Sequence, residues 1–190
     1  MRTENFRARS RIRHERHAQG FTLIELIIFL AILSILFRFG MPAFQDIMAN
    51  NRMTTQINIM VTSFNLARSE AIKRNQNVVL CPNDEGVCAK QPHWHKGWLM
   101  FADKNFDREF DDKNEDIIYI EAAQENIEII SSRYRRRVVF HPLGTAAGSN
   151  ASYVFCDQRG PSEARAIILS NGGRARIAAK KSDGKAWKCS

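Results

Sequence analysis

Apolar residues are unevenly spread along this chain. From Phe21 to Phe37 they form an almost unbroken run of seventeen residues, interrupted near its start by Glu25. Phe39 and Met41 extend the run past Arg38, whose long side chain can snorkel to a lipid–water boundary. At about 1.5 Å per residue, a helix of this length nearly crosses the hydrocarbon core of a bilayer. Beyond Pro42 the apolar positions thin to a stripe: Phe44, Ile47, Met48, Ile57, Met60, Val61, Phe64, Ala67, Ala71 and Ile72. They recur at threes and fours, with Asn50, Asn51, Arg52, Thr55 and Asn58 opposite, which predicts an amphipathic continuation of the same helix. The pattern predicts one helix over 21–74, loosened or kinked at Pro42, which offers no N–H.

After Arg74 the period changes. Strands are predicted over 77–81, 97–102, 117–120, 127–131, 137–140, 152–156, 165–170 and 174–179. Asn171-Gly172-Gly173 reads as the hairpin turn between the last two. The predicted class is α+β: a long N-terminal helix laid across an antiparallel β-rich domain in one sheet or two. Three segments follow: a basic leader at 1–20, the helix at 21–74 with its membrane part at 21–41, and the β-rich domain at 75–190.

The flanks of the apolar run decide its orientation. Residues 1–20 hold six Arg against two Glu, and that excess places them on the cytoplasmic side of a span. A secretory signal peptide is the second reading, but Arg38-Phe39-Gly40-Met41-Pro42 lacks the small-x-small cleavage pattern. A buried helix of a soluble protein is the third, and it leaves the asymmetric flanks unexplained. Under the first reading the β-rich domain lies across the membrane, where disulfides persist. Four cysteines are present. Cys81 and Cys88 flank a short loop that a bridge can staple, and Cys156 with Cys189 can tie down the C-terminus. Four cysteines allow three pairings, so this one is an expectation. Zinc bound by cysteine together with His93 and His95 is the alternative.

The junction Gly20-Phe21-Thr22-Leu23-Ile24-Glu25 resembles the class III leader junction of type IV pilins and type II secretion pseudopilins. In that superfamily a prepilin peptidase cuts after the Gly and the new N-terminal Phe is N-methylated. The resemblance implies cleavage between Gly20 and Phe21. It implies that Glu25 pairs with the methylated amine of a neighbouring subunit during filament assembly. Pro42 falls at the matching position in the helix. Two charges in lipid nearly cancel when paired, so this role for Glu25 is physically sound. Within the superfamily the chain looks most like the FimT/GspH group of minor pilins, to which the element Gly97-Trp98-Leu99-Met100-Phe101-Ala102-Asp103 is also similar. The implied partners are the prepilin peptidase, other major and minor pilins, the inner-membrane assembly platform and the lipid bilayer. The implied location is the inner membrane, with the globular domain in the periplasm, and then the filament.

Charge adds a further layer. The formal net charge of the 190 residues is +8. Residues 81–130 hold twelve acids against five Lys or Arg, whereas residues 131–190 hold twelve Lys or Arg against three acids. In the acidic part Asp103, Asn105 and Asp107 have the spacing of a calcium loop, but Arg108 stands where that loop needs Gly. A solvated turn is the simpler reading, and an acidic face that docks a neighbouring basic pilin is the other alternative. In the basic part Arg133, Arg135 and Arg137 share one face if extended, and so do Arg174 and Arg176. Ala175 and Ile177 are then expected to face the core. Lys180, Lys181, Lys185 and Lys188 carry the charge into a tail read as mobile.

Gly173, Arg174 and Arg176 match the Gly-Arg-x-Arg element of FimT-type pilins, which bind DNA in natural transformation. The resemblance implies a minor pilin that binds double-stranded DNA non-specifically, and Arg133, Arg135, Arg137, Lys180 and Lys181 are the further candidate contacts. Tyr134, Tyr153 and Trp187 can add stacking, though core or surface packing is the simpler use of each. The alternatives are a structural GspH-like pseudopilin without DNA binding and a pilus-priming subunit whose charges meet other pilins. No Gly-x-Ser-x-Gly or His-Glu-x-x-His occurs, and neither enzyme activity nor a cofactor or metal is expected.

Overall fold

The computed structural model describes residues 20–132 and 134–189. The leader residues 1–19 and Arg133 lie outside the described residues. The chain divides into two units at Gln45/Asp46, and helix α1 (Leu23–Arg74) contributes to both.

In the first unit the helix begins on an N-cap. Thr22 accepts the backbone N–H of Glu25 on its hydroxyl, and Glu25 stands at the third helical position, where its charge favours the positive end of the helix dipole. Leu23, Ile24, Leu26, Ile27, Ile28, Phe29, Leu30, Ile32, Ile35, Leu36, Phe37, Met41 and Phe44 are exposed. This is the one helix among the described residues long and apolar enough to cross a membrane. Ser34 donates its hydroxyl to the carbonyl of Ala31, so it leaves no free polar donor in the run. The helix continues through Pro42 without interruption.

In the second unit the remaining half of α1 buries Met53, Ile57, Met60, Phe64, Ala67 and Ala71. Their spacing of four and three is the stripe read from the sequence, now beginning at Met53. Phe44, Ile47, Met48 and Ile72, placed on that stripe by the pattern, are exposed instead.

Two antiparallel sheets pack with this stripe. The first contains β1 (Asn77–Asp84), β2 (Val87–Cys88), β3 (Trp98–Asp103), β4 (Ile117–Glu121) and β6 (Val138–Phe140). β1 lies between β3 and β6, β4 adds outside β3, and β2 pairs with the far end of β1. The second sheet runs β5 (Glu128–Ser131), β7 (Ala151–Cys156), β8 (Arg165–Leu169), β9 (Ala175–Ala178). All eight predicted strands are present. Two features went unread: the two-residue β2 and a single 3-10 turn, Trp94–Lys96.

Alternation sorts each strand into two faces. Val78, Leu80, Trp98, Met100, Val138 and Phe140 of the first sheet join the core shared with the helix. Ile129, Tyr153, Phe155, Ile167 and Leu169 of the second sheet join the same core. Val79, Cys81, Leu99, Phe101 and Val139 face the other way, under Phe110. Ala166 likewise faces away in the second sheet, under Trp187. Each sheet therefore has a small outer core, covered by a strap of irregular chain.

The helix is pinned to both sheets by polar groups as well. Trp98 donates its indole N–H to Ser63. Arg165 donates to Thr54 and Asn50, and Arg159 to Asn50.

Candidate functional site

The cysteines form two disulfides, Cys81–Cys88 and Cys156–Cys189. The first closes the β1–β2 hairpin. The second ties the last residues to the end of β7. Both thiol pairs are thus consumed, which removes the zinc alternative. His93 and His95 stack on each other with centroids 5.5 Å apart. Burial pushes the His95 imidazole below its ordinary range, and its Nδ1 accepts the backbone N–H of Ile129. Among the described residues no group of three or more His, Cys, Asp or Glu side chains is placed to hold a metal ion.

The loop after β3 uses its acids on itself. Asp103 is 1 % exposed, and burial raises its carboxyl above the ordinary value, against the pull of backbone N–H groups from Phe106, Arg108 and Asp107. Those N–H groups lie near the carboxylate, but their geometry falls short of full hydrogen bonds. Asn105 donates to Asp107 and accepts its backbone N–H, while Asp107 accepts that of Glu109. Glu115 accepts the backbone N–H groups of Lys104 and Asp111. The Asp103, Asn105 and Asp107 side chains therefore do not converge on a calcium position. They shape a turn.

Gly97 opens β3 with φ +97, and a Cβ there would meet the Glu121 carbonyl oxygen at 2.4 Å. This explains why Gly precedes Trp98: β4 passes directly over it.

The basic residues divide into two classes. Arg137 is committed to the fold. It bonds the carbonyls of Ala89 and Arg108 and pairs with Glu109. Arg135 donates to the Gly148 carbonyl and to Asn150. Neither residue lies in a strand, since β5 ends at Ser131 and β6 begins at Val138. The shared extended face expected of Arg135 and Arg137 is therefore absent. Their guanidiniums satisfy loop carbonyls that the turn would otherwise leave unpaired.

Arg174 and Arg176 are different. Both are exposed, on alternate positions of the β8–β9 hairpin. Among the described residues neither takes part in an ion pair. The turn beneath them is rigid. Gly173 is buried at φ +74, and a Cβ on it would meet the Gly144 carbonyl oxygen at 2.5 Å. Ser170 and Arg174 exchange backbone and hydroxyl bonds across the turn, and Ala146 donates its N–H to the Asn171 carbonyl. Ile177 departs from expectation. It shares the core-facing side with its partner Ile167 but remains 54 % exposed, because β9 is the edge of its sheet.

The C-terminal tail is tethered by several contacts. Lys180 is exposed, whereas Lys181 lies 5.8 Å over the Trp187 ring. Trp187 is buried on Ala164 and Ala166 and donates its indole N–H to the Ala178 carbonyl. Tyr153 is fully buried in the main core and offers no stacking surface, whereas Tyr134 is exposed.

Comparison with known proteins places this geometry. The family model described as type II transport protein GspH matches residues 56–173, and the prokaryotic N-terminal methylation motif matches residues 16–37. The pilin-like protein PilA1 of Thermus thermophilus is 28 % identical over 167 residues, which cover 84 % of this chain and 97 % of that protein. The type IV minor pilin FimU of Pseudomonas aeruginosa, in two crystal forms, superposes with TM-scores of 0.56 and 0.53. Each superposition has 13 % identity and covers 73 % or 70 % of this chain and 94 % or 95 % of FimU. At that identity the likeness is one of fold.

Proposed function

The chain belongs to the family described as type II transport protein GspH, and from that membership we propose that it is a GspH-like minor pseudopilin with a structural role in a secretion filament. The match over residues 56–173 favours the pseudopilin, and the observation that carries the filament role, common to pilins and pseudopilins, is the register at the N-terminus. Gly20-Phe21 precedes a capped helix whose lipid-length apolar part holds Glu25 in its first turn. A prepilin peptidase removes residues 1–20 on the cytoplasmic side. Residues 21–41 hold the processed chain in the inner membrane, and residues 75–190 form the periplasmic domain. Glu25 then draws the new amine of a neighbouring Phe21 into the helix bundle, because each charge is costly in lipid until it meets the other. Pro42 removes one helix hydrogen bond at the end of the span, which eases bending as the subunit leaves the bilayer.

The test is co-expression of the full chain with a prepilin peptidase and the remaining filament subunits. Mass spectrometry should find an N-methylated Phe21 terminus, and sheared filaments should contain the protein. Glu25→Ala should be processed normally but be depleted from filaments. Normal incorporation of Glu25→Ala would overturn the assigned role of that carboxylate. An uncut Gly20–Phe21 bond would overturn the pilin-like reading.

A second reading is favoured by one specific feature: the exposed Arg174 and Arg176 on a turn fixed by Gly173. Under it the subunit also holds double-stranded DNA, as a minor type IV pilin of the FimT kind acting in transformation, with Lys180 and Lys181 beside the arginines. Two free guanidiniums at a hairpin tip suit phosphate oxygens, and binding would be salt-sensitive and indifferent to sequence. Titration of random-sequence duplex DNA at low and high salt, beside Arg174→Gln/Arg176→Gln, separates the readings. Absence of binding at low salt leaves the structural role alone.

A further inference from the structure

The two straps over the outer faces of the sheets are chemically opposed. The strap on the first sheet, residues 103–116, holds seven acids against three bases. The strap on the second sheet, together with its hairpin, residues 174–188, holds six Lys or Arg against one acid. Both sheets turn their other faces to one shared core, so the straps lie on separate sides of the domain.

Each strap also carries an apolar feature that the fold leaves unused. On the acidic strap Phe106 is 71 % exposed and has φ +64. A bulky residue rarely adopts the left-handed region, and an aromatic ring held there in water gains nothing from burial. Asn105 and Asp107, on either side of Phe106, accept the backbone N–H groups of Asp107 and Glu109, so the loop fixes the backbone there and leaves the ring outward. Phe110, four residues on, is by contrast tucked against Phe101 with centroids 5.4 Å apart. On the basic strap a groove of about 370 Å³ opens beside the tail. Ile130, Val154 and Trp187 supply apolar lining, three serines supply polar lining, and Lys181 and Lys188 border the same groove. An apolar cavity of about 150 Å³ already holds benzene, so this groove has room for a phenyl ring.

We propose that the acidic strap of one copy docks into the basic groove of a second copy, with Phe106 as the inserted side chain and Asp107, Asp111 and Asp112 facing Lys181 and Lys188. Charge complementarity selects the occupant: Lys181 and Lys188 are among the groove's lining residues, and the exposed Phe106 belongs to a strap with seven acids against three bases. Aromatic anchors in desolvated pockets dominate such contacts, while rim charges steer encounter and orientation. Knob and groove are different surfaces, so the contact is heterologous. It leaves one knob and one groove free at the ends of every pair and repeats as a row rather than closing as a two-fold dimer. This contact lies between globular domains and is independent of the pairing assigned to Glu25.

The test is sedimentation of the full chain in nonionic detergent micelles. The wild type should self-associate with rising protein concentration, and salt should weaken the association. Phe106→Ala should weaken it by about tenfold or more, and so should Lys181→Glu/Lys188→Glu. An equimolar mixture of those two variants should form heteropairs that grow no further, since one keeps the groove and the other the knob. Both variants alter exposed side chains, so unchanged near-ultraviolet circular dichroism should accompany them. A wild type that remains monomeric at low salt overturns the proposal. So does association that neither variant weakens, which would arise from the membrane helix, and so does a mixture that fails to pair.

Discussion

The indole N–H of Trp98 ends on the hydroxyl of Ser63, 3.1 Å away, inside the core. Ser63 in turn donates to the Ile59 carbonyl, 3.0 Å off, one turn back along the helix. This relay is where the first sheet registers on the helix. Ser63→Ala keeps the volume nearly unchanged but leaves the Trp98 donor buried and unpaired. The expected cost is about 1–3 kcal/mol. Chemical denaturation followed by tryptophan emission measures it, and a wild-type midpoint would show that the indole finds another acceptor.

The two disulfides should differ in value. Cys81–Cys88 closes a loop with a sequence separation of 7, and Cys156–Cys189 one of 33. On chain entropy alone, losing the first costs roughly 2.4 kcal/mol and losing the second roughly 3.7 kcal/mol. Double Cys→Ala variants at each bridge, compared in denaturant, should rank in that order. The longer bridge should also release Trp187, giving a red-shifted emission that the shorter one does not.

Acid stability should carry a signature of Asp157. Burial alone would raise its carboxyl, but hydrogen bonds and charge from Arg159 outweigh that and hold it below the ordinary value of 3.8. A carboxylate with a lowered folded-state pKa stabilises the fold fully above its unfolded value. That stability is lost as pH falls through the folded value. Asp157→Asn should therefore lower the melting temperature at neutral pH, and the gap to wild type should close below about pH 3.8. A gap that persists unchanged at lower pH would place the effect in packing rather than in ionisation.

Gly173 separates the stability of the arginine hairpin from its charge. Gly173→Ala must place a Cβ 2.5 Å from the Gly144 carbonyl oxygen at φ +74, so it should destabilise the domain by about 2 kcal/mol or more. Arg174→Gln/Arg176→Gln removes only exposed charge and should leave the melting temperature within about 1 °C, as surface substitutions commonly do. If both variants melted alike, the arginines would have a folding role that their exposure does not indicate.

Much of this architecture could be read before the structure, for identifiable reasons. Strands and the helix announce themselves through period. The stripe Ile57, Met60, Phe64, Ala67, Ala71 and the alternation through Val78–Cys81 are local patterns, and local patterns survive folding. Other features depend on partners far along the chain. Met53 joins the core and Ile72 leaves it because of where the sheets end, which no helical repeat contains. Ile177 has the right parity for the core yet stays exposed, because β9 is an edge strand. Arg135 and Arg137 looked like free cations because their acceptors, the carbonyls of Gly148, Ala89 and Arg108, carry no sequence signal. The tail looked mobile because its lysines are conspicuous, while the contacts that tether it rest on Trp187 and Cys189. Val87–Cys88 was too short to show a period at all.

The position of Trp187 and Cys189 after β9 has a consequence for biogenesis. A polypeptide whose segments after the span cross in chain order delivers β5 to β8 to the far side of the membrane before the residues that cover their outer face. Ala166 and Cys156 remain uncovered until Trp187 and Cys189 have crossed, and Cys156 remains an unpaired thiol during that interval. Closure of this outer face is therefore reported by Trp187 and Cys189. A nonsense mutation that removed only Trp187 onward would leave every strand in place, yet expose an apolar sheet face and a reactive sulfur to periplasmic proteases and oxidases.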